Sequence, residues 1–314
     1  MKKYLFGVDV GGTTVKLGLF DPEGEVKEKW EIVTRKEDDG AHIIPDIAES
    51  ITAKMKEHAI DKVDVIGVGI GVPGPVTNDG TVLLAANLGW GKKNISKELG
   101  DILGVNVMAG NDANVAALGE MWRGGGRGYR DMVAVTLGTG VGGGIIIGGK
   151  IVCGATGAGG EIGHIHLEDA ETDTCGCGRK GCLEQYASAT GVVRIANKKL
   201  SANDKASVLR NGEVSAKAIW DAVKEGDELA IEVANVYGEY LGKGLAAVAN
   251  VVNPEIFVIG GGVSKAGDIL IDYMKPHFEK YVFPGASSCK FGLATLGNDA
   301  GIYGAAKLVL DYCF

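Results

Sequence analysis

Tyr4–Val10 is a short apolar run that stops at Gly11-Gly12-Thr13-Thr14, and a second run, Val15–Phe20, follows at once. This pattern predicts a strand, a tight glycine turn and an antiparallel strand. Asp21-Pro22-Glu23-Gly24 reads as the next turn. Between His42 and His58, Ile43, Ile47, Ile51 and Met55 recur at helical spacing and predict an amphipathic helix. Val63–Val72 reads as a buried strand ending in Gly71-Val72-Pro73-Gly74-Pro75, and Ile95–Leu103 as a helix. Val105–Ala109 is a short strand leading to Asn111-Asp112, with a helix from there to about Trp122. Leu183–Lys199 predicts a helix, and Glu228–Val252 a long alanine-rich one buried over much of its surface. Asn298-Asp299 caps a final helix through Leu310.

The strand–glycine turn–strand unit occurs twice. Val135–Gly144 repeats the layout of Val8–Leu17, with Gly138, Thr139 and Gly140 at its turn. Two related α/β halves follow from this. The crossing is expected near Asn111, with the last helix returning to the first domain: residues 1–110 plus 299–314, and residues 111–298. A third glycine turn, Gly260-Gly261-Gly262, follows the strand Ile256–Ile259 and precedes a helix expected from about Ser264. The first turn lacks the Walker pattern and leads into a strand, so it is not a P-loop. Its backbone N–H groups and the Thr13 or Thr14 hydroxyl are still suited to phosphate.

Composition sharpens this reading at one point. The 314 residues include 51 glycines, roughly twice the average share of about 7%. Such an excess implies sharp bends or close ligand approach at many positions. The formal net charge is -8, with no basic patch interleaved with aromatics, so nucleic acid is not an expected partner. The opening MKKYLFGVDV is broken by Asp9 and carries no cleavage site, so it is not read as a signal peptide. No apolar run approaches the roughly 20 residues of a membrane span. Of six cysteines, Cys153, Cys289 and Cys313 are scattered, which suits a reducing cytoplasm.

The other three, Cys175, Cys177 and Cys182, form C-x-C-G-x-x-G-C. A redox or disulfide loop is one reading. A closed structural zinc site is favoured, and it needs a fourth ligand, which either His164 or His166 could supply. Glu161 and Glu184 flank the cluster and would be fixed by it, facing a small polar substrate. Asp9 ends an apolar strand beside glycines, a poor place for an unpaired charge, and is read as a Mg²⁺ partner against ATP phosphates rather than a turn cap. Asn111 and Asp112 suit a helix cap and a catalytic base equally. Asn87 is a turn residue or a polyol contact, and the acids of Glu168–Asp173 read as a solvated loop face.

Taken together, Asp9-Val-Gly-Gly-Thr13, Gly69-Ile-Gly-Val-Pro-Gly74, Asn111-Asp112-Ala-Asn114, Leu137-Gly-Thr-Gly-Val-Gly-Gly143, Gly159-Gly-Glu-Ile-Gly-His164, the Cys175–Glu184 cluster and Gly260-Gly-Gly-Val-Ser264 resemble the ROK family of sugar kinases and sugar-responsive repressors. The resemblance spans nearly the whole chain and is strongest to the bacterial ATP-dependent glucokinases. It implies a two-domain α/β fold of the actin-like ATPase (ribonuclease H-like) class with a cleft between the domains. It also implies phosphorylation of the glucose 6-hydroxyl, with N-acetylmannosamine, N-acetylglucosamine or fructose as the alternative substrate. Asp112 would be the general base, and Asn111, Glu161, His164, Glu184 and Asn87 would bond the other hydroxyls. His164, Cys175, Cys177 and Cys182 would hold zinc. Gly11, Gly12, Thr13 and Thr14 with Gly138, Thr139 and Gly140 would hold ATP phosphates, and Gly260, Gly261 and Gly262 would face adenosine. The loop from His164 to Cys175 looks slightly longer than is usual in the family. A homodimer or higher homo-oligomer is implied as well. Family repressors carry a DNA-binding domain ahead of the first turn, and only the eight residues before Asp9 stand there, so a repressor role is not expected.

Overall fold

A computed structural model describes residues 2–313. The first apolar runs form β1 (Tyr4–Val10) and β2 (Thr14–Phe20), antiparallel as predicted, with Asp9 opposite Lys16. β3 (Val26–Val33) extends the meander. A short turn, α1 (Glu37–Gly40), leads to α2 (Ile43–Glu57), whose Ile43, Ile47, Ile51 and Met55 are all buried. β4 (Val65–Val72) is buried throughout. A two-stranded ribbon, β5 (Thr81–Val82) and β6 (Lys93–Asn94), precedes α3 (Ile95–Leu103), and then β7 (Val107–Asn111) runs directly into α4 (Asp112–Arg123).

The second series is β8 (Met132–Leu137), β9 (Val141–Ile147) and β10 (Lys150–Ile151), followed by α5 (Glu184–Ala187), α6 (Ala189–Ala202), α7 (Ala216–Lys224) and α8 (Glu228–Val252). β11 (Ile256–Gly260), α9 (Ile269–Tyr281), β12 (Lys290–Leu293) and α10 (Ala300–Cys313) complete the chain. The two large sheets have the orders β3-β2-β1-β4-β7 and β10-β9-β8-β11-β12. They match strand for strand: three consecutive strands, then two joined in parallel. The repeat seen in the glycine turns therefore extends to whole sheets.

By contacts the chain divides into one unit of residues 1–130, 144–160 and 296–314, and another of residues 131–143 and 161–295. The division at 130/131 differs from the expected one at 110/111. α4 packs on α10, so the helix after Asn111 stays with the first sheet. In the first unit, alternate residues of β1 face opposite sides. Phe6, Val8 and Val10 join the α2–α3 core, while Leu5 joins Ile302, Ala306 and Val309 of α10.

Three further boundaries depart from expectation. The predicted helix from Leu183 is broken at Ser188, whose backbone is extended and whose buried Oγ accepts from Gly191 N, capping α6. No α-helix starts at Ser264. A 3₁₀ turn over Val263–Ala266 intervenes, and α9 begins at Ile269. At the last helix a 3₁₀ turn, Gly297–Asp299, leads into α10, and the Asp299 carboxylate pairs with Lys29 at 2.7 Å. Among the described residues no helix is long and apolar enough to cross a membrane.

Candidate functional site

In the first unit the chemistry gathers at the carboxyl ends of parallel strands. β1, β4 and β7 lie side by side with Asp9 paired to Gly71 and Val72 to Asn111. Ligands of α/β sheets bind at such ends. The Gly11–Thr14 turn is closed by Gly11 N donating to Thr14 O at 3.0 Å. It is pinned by Thr34, a buried residue absent from the sequence reading, whose Oγ1 donates to Gly11 O at 2.8 Å and whose N donates to Thr13 O at 2.9 Å. Asp9 points to the α10 side of the sheet. A Cβ at Gly301 would stand 2.4 Å from the Asp9 carboxyl carbon, so glycine there makes room for the acid. Burial, together with the neighbouring Asp112 carboxylate, raises the Asp9 carboxyl to about 6. Lys16 acts in the opposite direction. Two mutually repelling acids at a phosphate-type turn are suited to share a cation.

Of the two roles that the sequence left open, the helix cap falls to Asn111. Asn111 is the N-cap of α4: its Oδ1 accepts from Asn114 N at 3.1 Å. Its Nδ2 donates to Gly74 O at 3.1 Å and to Asp112 Oδ1 at 3.0 Å. Asp112, the first helical residue, is thereby held by the cap, and its Oδ1 also accepts from Ala113 N at 2.8 Å. Asn87 stands exposed on the 3₁₀ turn Ala86–Leu88.

In the second unit the two remaining glycine turns are brought together. β8 and β11 are parallel neighbours, and Gly261, with φ +85°, lies against the backbone of Leu137, just before Gly138. Gly138 O accepts from Ala189 N and Thr139 O from the Thr190 hydroxyl, both at 2.8 Å, so the start of α6 anchors this turn. The Gly260–Gly262 turn is steadied by Ser264, whose Oγ donates to Gly261 O at 2.8 Å.

Glu161, His164, Glu184 and the cysteines also come together. Glu161 is exposed at the start of the 3₁₀ turn Ile162–His164, with its Oε2 4.0 Å from His164 Nε2. The other ring nitrogen, Nδ1, faces Cys175 Sγ at 3.8 Å. Cys177 and Cys182 sulfurs are 3.7 Å apart, too far for a disulfide, and all six cysteines are free. Sulfurs about 2.3 Å from one tetrahedral ion stand about 3.8 Å apart. One ligand atom from each of His164, Cys175, Cys177 and Cys182 fits within 4.8 Å, a group able to hold a metal ion. His166 is outside it: its Nδ1 bonds to Lys180 O and its Nε2 to Asp169. Burial and the adjoining sulfurs push the Cys182 thiol up to about 12. A thiol raised this far sheds its proton at neutral pH only beside a cation. Glu184 begins α5 next to the cluster. Its Oε1 is 3.7 Å from Cys175 Sγ, and its Oε2 accepts from Val141 N at 2.9 Å. A Cβ at Gly140 would come within 2.3 Å of that Oε2, so the glycine lets this carboxylate lie against the phosphate-type turn.

The model of the ROK family matches residues 5–312. The chain belongs to the ROK family. This ROK chain is 44% identical to a glucokinase of Halalkalibacterium halodurans over 98% of its own length and 95% of that protein. It is 33% identical to an N-acetylgalactosamine kinase of Shewanella sp. over 96% of each. The crystal structure of a ROK family glucokinase from Streptomyces griseus, in complex with glucose and AMPPNP, matches with a TM-score of 0.73 at 35% identity, covering 97% of this chain and 98% of that one. The fold of the ROK chain is accordingly the α/β fold of the actin-like ATPases.

One expectation for the acidic loop fails. Glu171 is buried, not solvated. Arg194 Nη2 donates to its Oε2 at 2.6 Å, and this partner holds its carboxyl down at about 2. Glu168 accepts from the Tyr240 hydroxyl at 2.8 Å. Asp169, Ala170, Thr172 and Asp173 are the exposed residues of the loop.

Asp9 gives the ROK chain a testable pH signature. Between the ordinary carboxylate value of 3.8 and about 6 the folded state keeps a proton that the unfolded chain has lost. Stability is therefore lost as pH rises through that window, leaving a cost of about 3 kcal/mol at neutral pH. Calorimetry should show Asp9→Asn more heat-stable than the parent at pH 7, with the difference gone below pH about 4. A parent as stable as the variant at pH 7 would mean that Asp9 is not strained.

Proposed function

We propose that this protein transfers the terminal phosphoryl group of ATP to the 6-hydroxyl of D-glucose. The observation that carries the chemistry is the pair of neighbouring carboxylates, Asp9 at a phosphate-type turn and Asp112 on a capped helix start. Asp112 is assigned as the general base. Phosphoryl transfer has a loose transition state, so an orienting carboxylate of modest basicity is sufficient. Mg²⁺ beside Asp9 would neutralise charge on the phosphates. The Gly11–Thr14 and Gly138–Gly140 turns offer backbone N–H groups to those phosphates, and Gly260–Gly262 is assigned to the adenosine side.

Glu161, His164 and Glu184 are assigned to the sugar hydroxyls, with Asn111 and Asn87 as further partners. Paired acceptors and donors are what a neutral polyol demands, since an unmatched hydroxyl leaves a buried polar group unpaired. Zinc held by His164, Cys175, Cys177 and Cys182 would be structural, fixing the turn that carries Glu184. Metal analysis of the purified protein is expected to give about one zinc per chain, as four ligands complete one site. A Cys177→Ser variant that kept fold and sugar affinity would remove the metal from this role. The reading includes a cytoplasmic homo-oligomer, supported by the family resemblance.

Glucose as substrate is supported by the glucokinase relatives. The 33% identity to an N-acetylgalactosamine kinase favours an N-acetylhexosamine as the second reading. A kcat/KM panel over glucose, fructose, N-acetylglucosamine, N-acetylmannosamine and N-acetylgalactosamine decides. Glucose should lead by at least about tenfold, the worth of one well-made discriminating contact. An acetylated sugar in front would replace the glucose assignment.

A further inference from the structure

Glu184 sits on a helix of four residues, too short to hold its own shape. Something else must fix it, and Arg194 of α6 is built to do so. Its Nη2 donates to Glu171 Oε2 at 2.6 Å and to Gln185 O at 3.0 Å, and its Nη1 donates to Asp173 Oδ2 at 2.9 Å. One planar fork thus grips the loop ahead of Cys175 and the carbonyl of the residue directly after Glu184. The guanidinium also lies 4.9 Å from the centre of the Tyr186 ring, and the Tyr186 hydroxyl donates to the same Glu171 oxygen. Gln185 closes the frame. Its Nε2 donates to Asp173 O at 2.9 Å, and its Oε1 accepts from Cys182 N at 3.1 Å. The Glu171 side chain is 2% exposed, so this is an interior tie rather than a surface ion pair.

We propose that Arg194 and Glu171 are a positioning pair, a clamp separate from the metal that sets the Glu184 carboxylate for the sugar and so fixes sugar affinity. The proposal rests on the assignment of Glu184 to the sugar. The clamp touches neither Asp112 nor the glycine turns of the phosphates, so its loss removes uniform binding: KM for the sugar rises while kcat holds.

The test is the pair Glu171→Gln with Arg194→Met. Together they remove the fork without stranding a buried charge and leave an acceptor for Tyr186. The double variant should raise the sugar KM about tenfold, keep kcat within about threefold and change the ATP KM far less than the sugar KM. Arg194→Lys, which keeps charge but not the fork, should fall between parent and double variant. Backbone amide exchange over residues 168–185 should quicken in the double variant. A folded double variant with the parent's sugar KM overturns the clamp. Should the parent phosphorylate no sugar, the kinase reading fails instead. The exchange measurement then decides the clamp alone, and unchanged exchange over 168–185 overturns it.

Discussion

Asp112→Asn should bind glucose within a few-fold of the parent and turn over about a hundred- to ten-thousandfold more slowly, the range for a lost general base. Binding survives because asparagine keeps the shape, and its carbonyl oxygen still accepts from Ala113 N, as Asp112 Oδ1 does at 2.8 Å. Turnover does not, because a neutral amide takes no proton. A second signature is independent of turnover. Asp112 is one of the two causes that raise the Asp9 carboxyl to about 6, so removing its charge should bring that value down. Coupled-assay kinetics, calorimetric sugar binding and a carboxyl NMR titration measure the three effects. Near-normal kcat with intact binding excludes Asp112 as the base.

Arg194→Met alone should cost about 3–5 kcal/mol of stability, as for a buried ion pair broken on one side. The parent pair shows why. Arg194 holds Glu171 at about 2, against an ordinary 4.5. A depressed carboxyl contributes its stability above the unfolded value and loses it as pH falls from about 4.5 to 2. The shift corresponds to roughly 3 kcal/mol. In the variant the stranded carboxylate escapes by taking up a proton. The gap to the parent should therefore be widest at neutral pH and narrow as pH falls below about 4.5. Denaturant unfolding at pH 7, 5 and 3.5 reads this directly. A gap independent of pH would assign the loss to packing over Tyr186 instead of to charge.

These two sites were unequally legible in the sequence. The junction of β7 and α4 is local, and a strand running into Asn-Asp at a helix start can be read from neighbouring letters. The same holds for α3 and α8, whose ends fall where the periodicity placed them. The burial of Glu171 is not legible locally because its partner lies on another element, and an acidic run looks solvated until Arg194 arrives. The choice between His164 and His166 could not be made from spacing. It depends on a 3₁₀ turn that aims His164 Nδ1 at Cys175, while Asp169 and Lys180 O occupy the ring of His166. Ser188 did carry a signal, since a serine inside a helical run is also a favoured cap. Part of the glycine excess serves packing. Cβ atoms at Gly7 and Gly69 would lie 1.9 and 1.7 Å from backbone oxygens of α10, so that helix rests directly on β1 and β4.

The Glu184 side chain has one oxygen by Cys175 and the other on Val141 N, at the exit of the Gly138–Gly140 turn. Whatever draws that carboxylate one way must loosen or tighten its hold on the other. Under the proposed assignments, sugar and nucleotide would not be independent guests. Each would alter the other's affinity by the same factor, since thermodynamic coupling is reciprocal. A single glutamate would be the physical link through which that reciprocity passes.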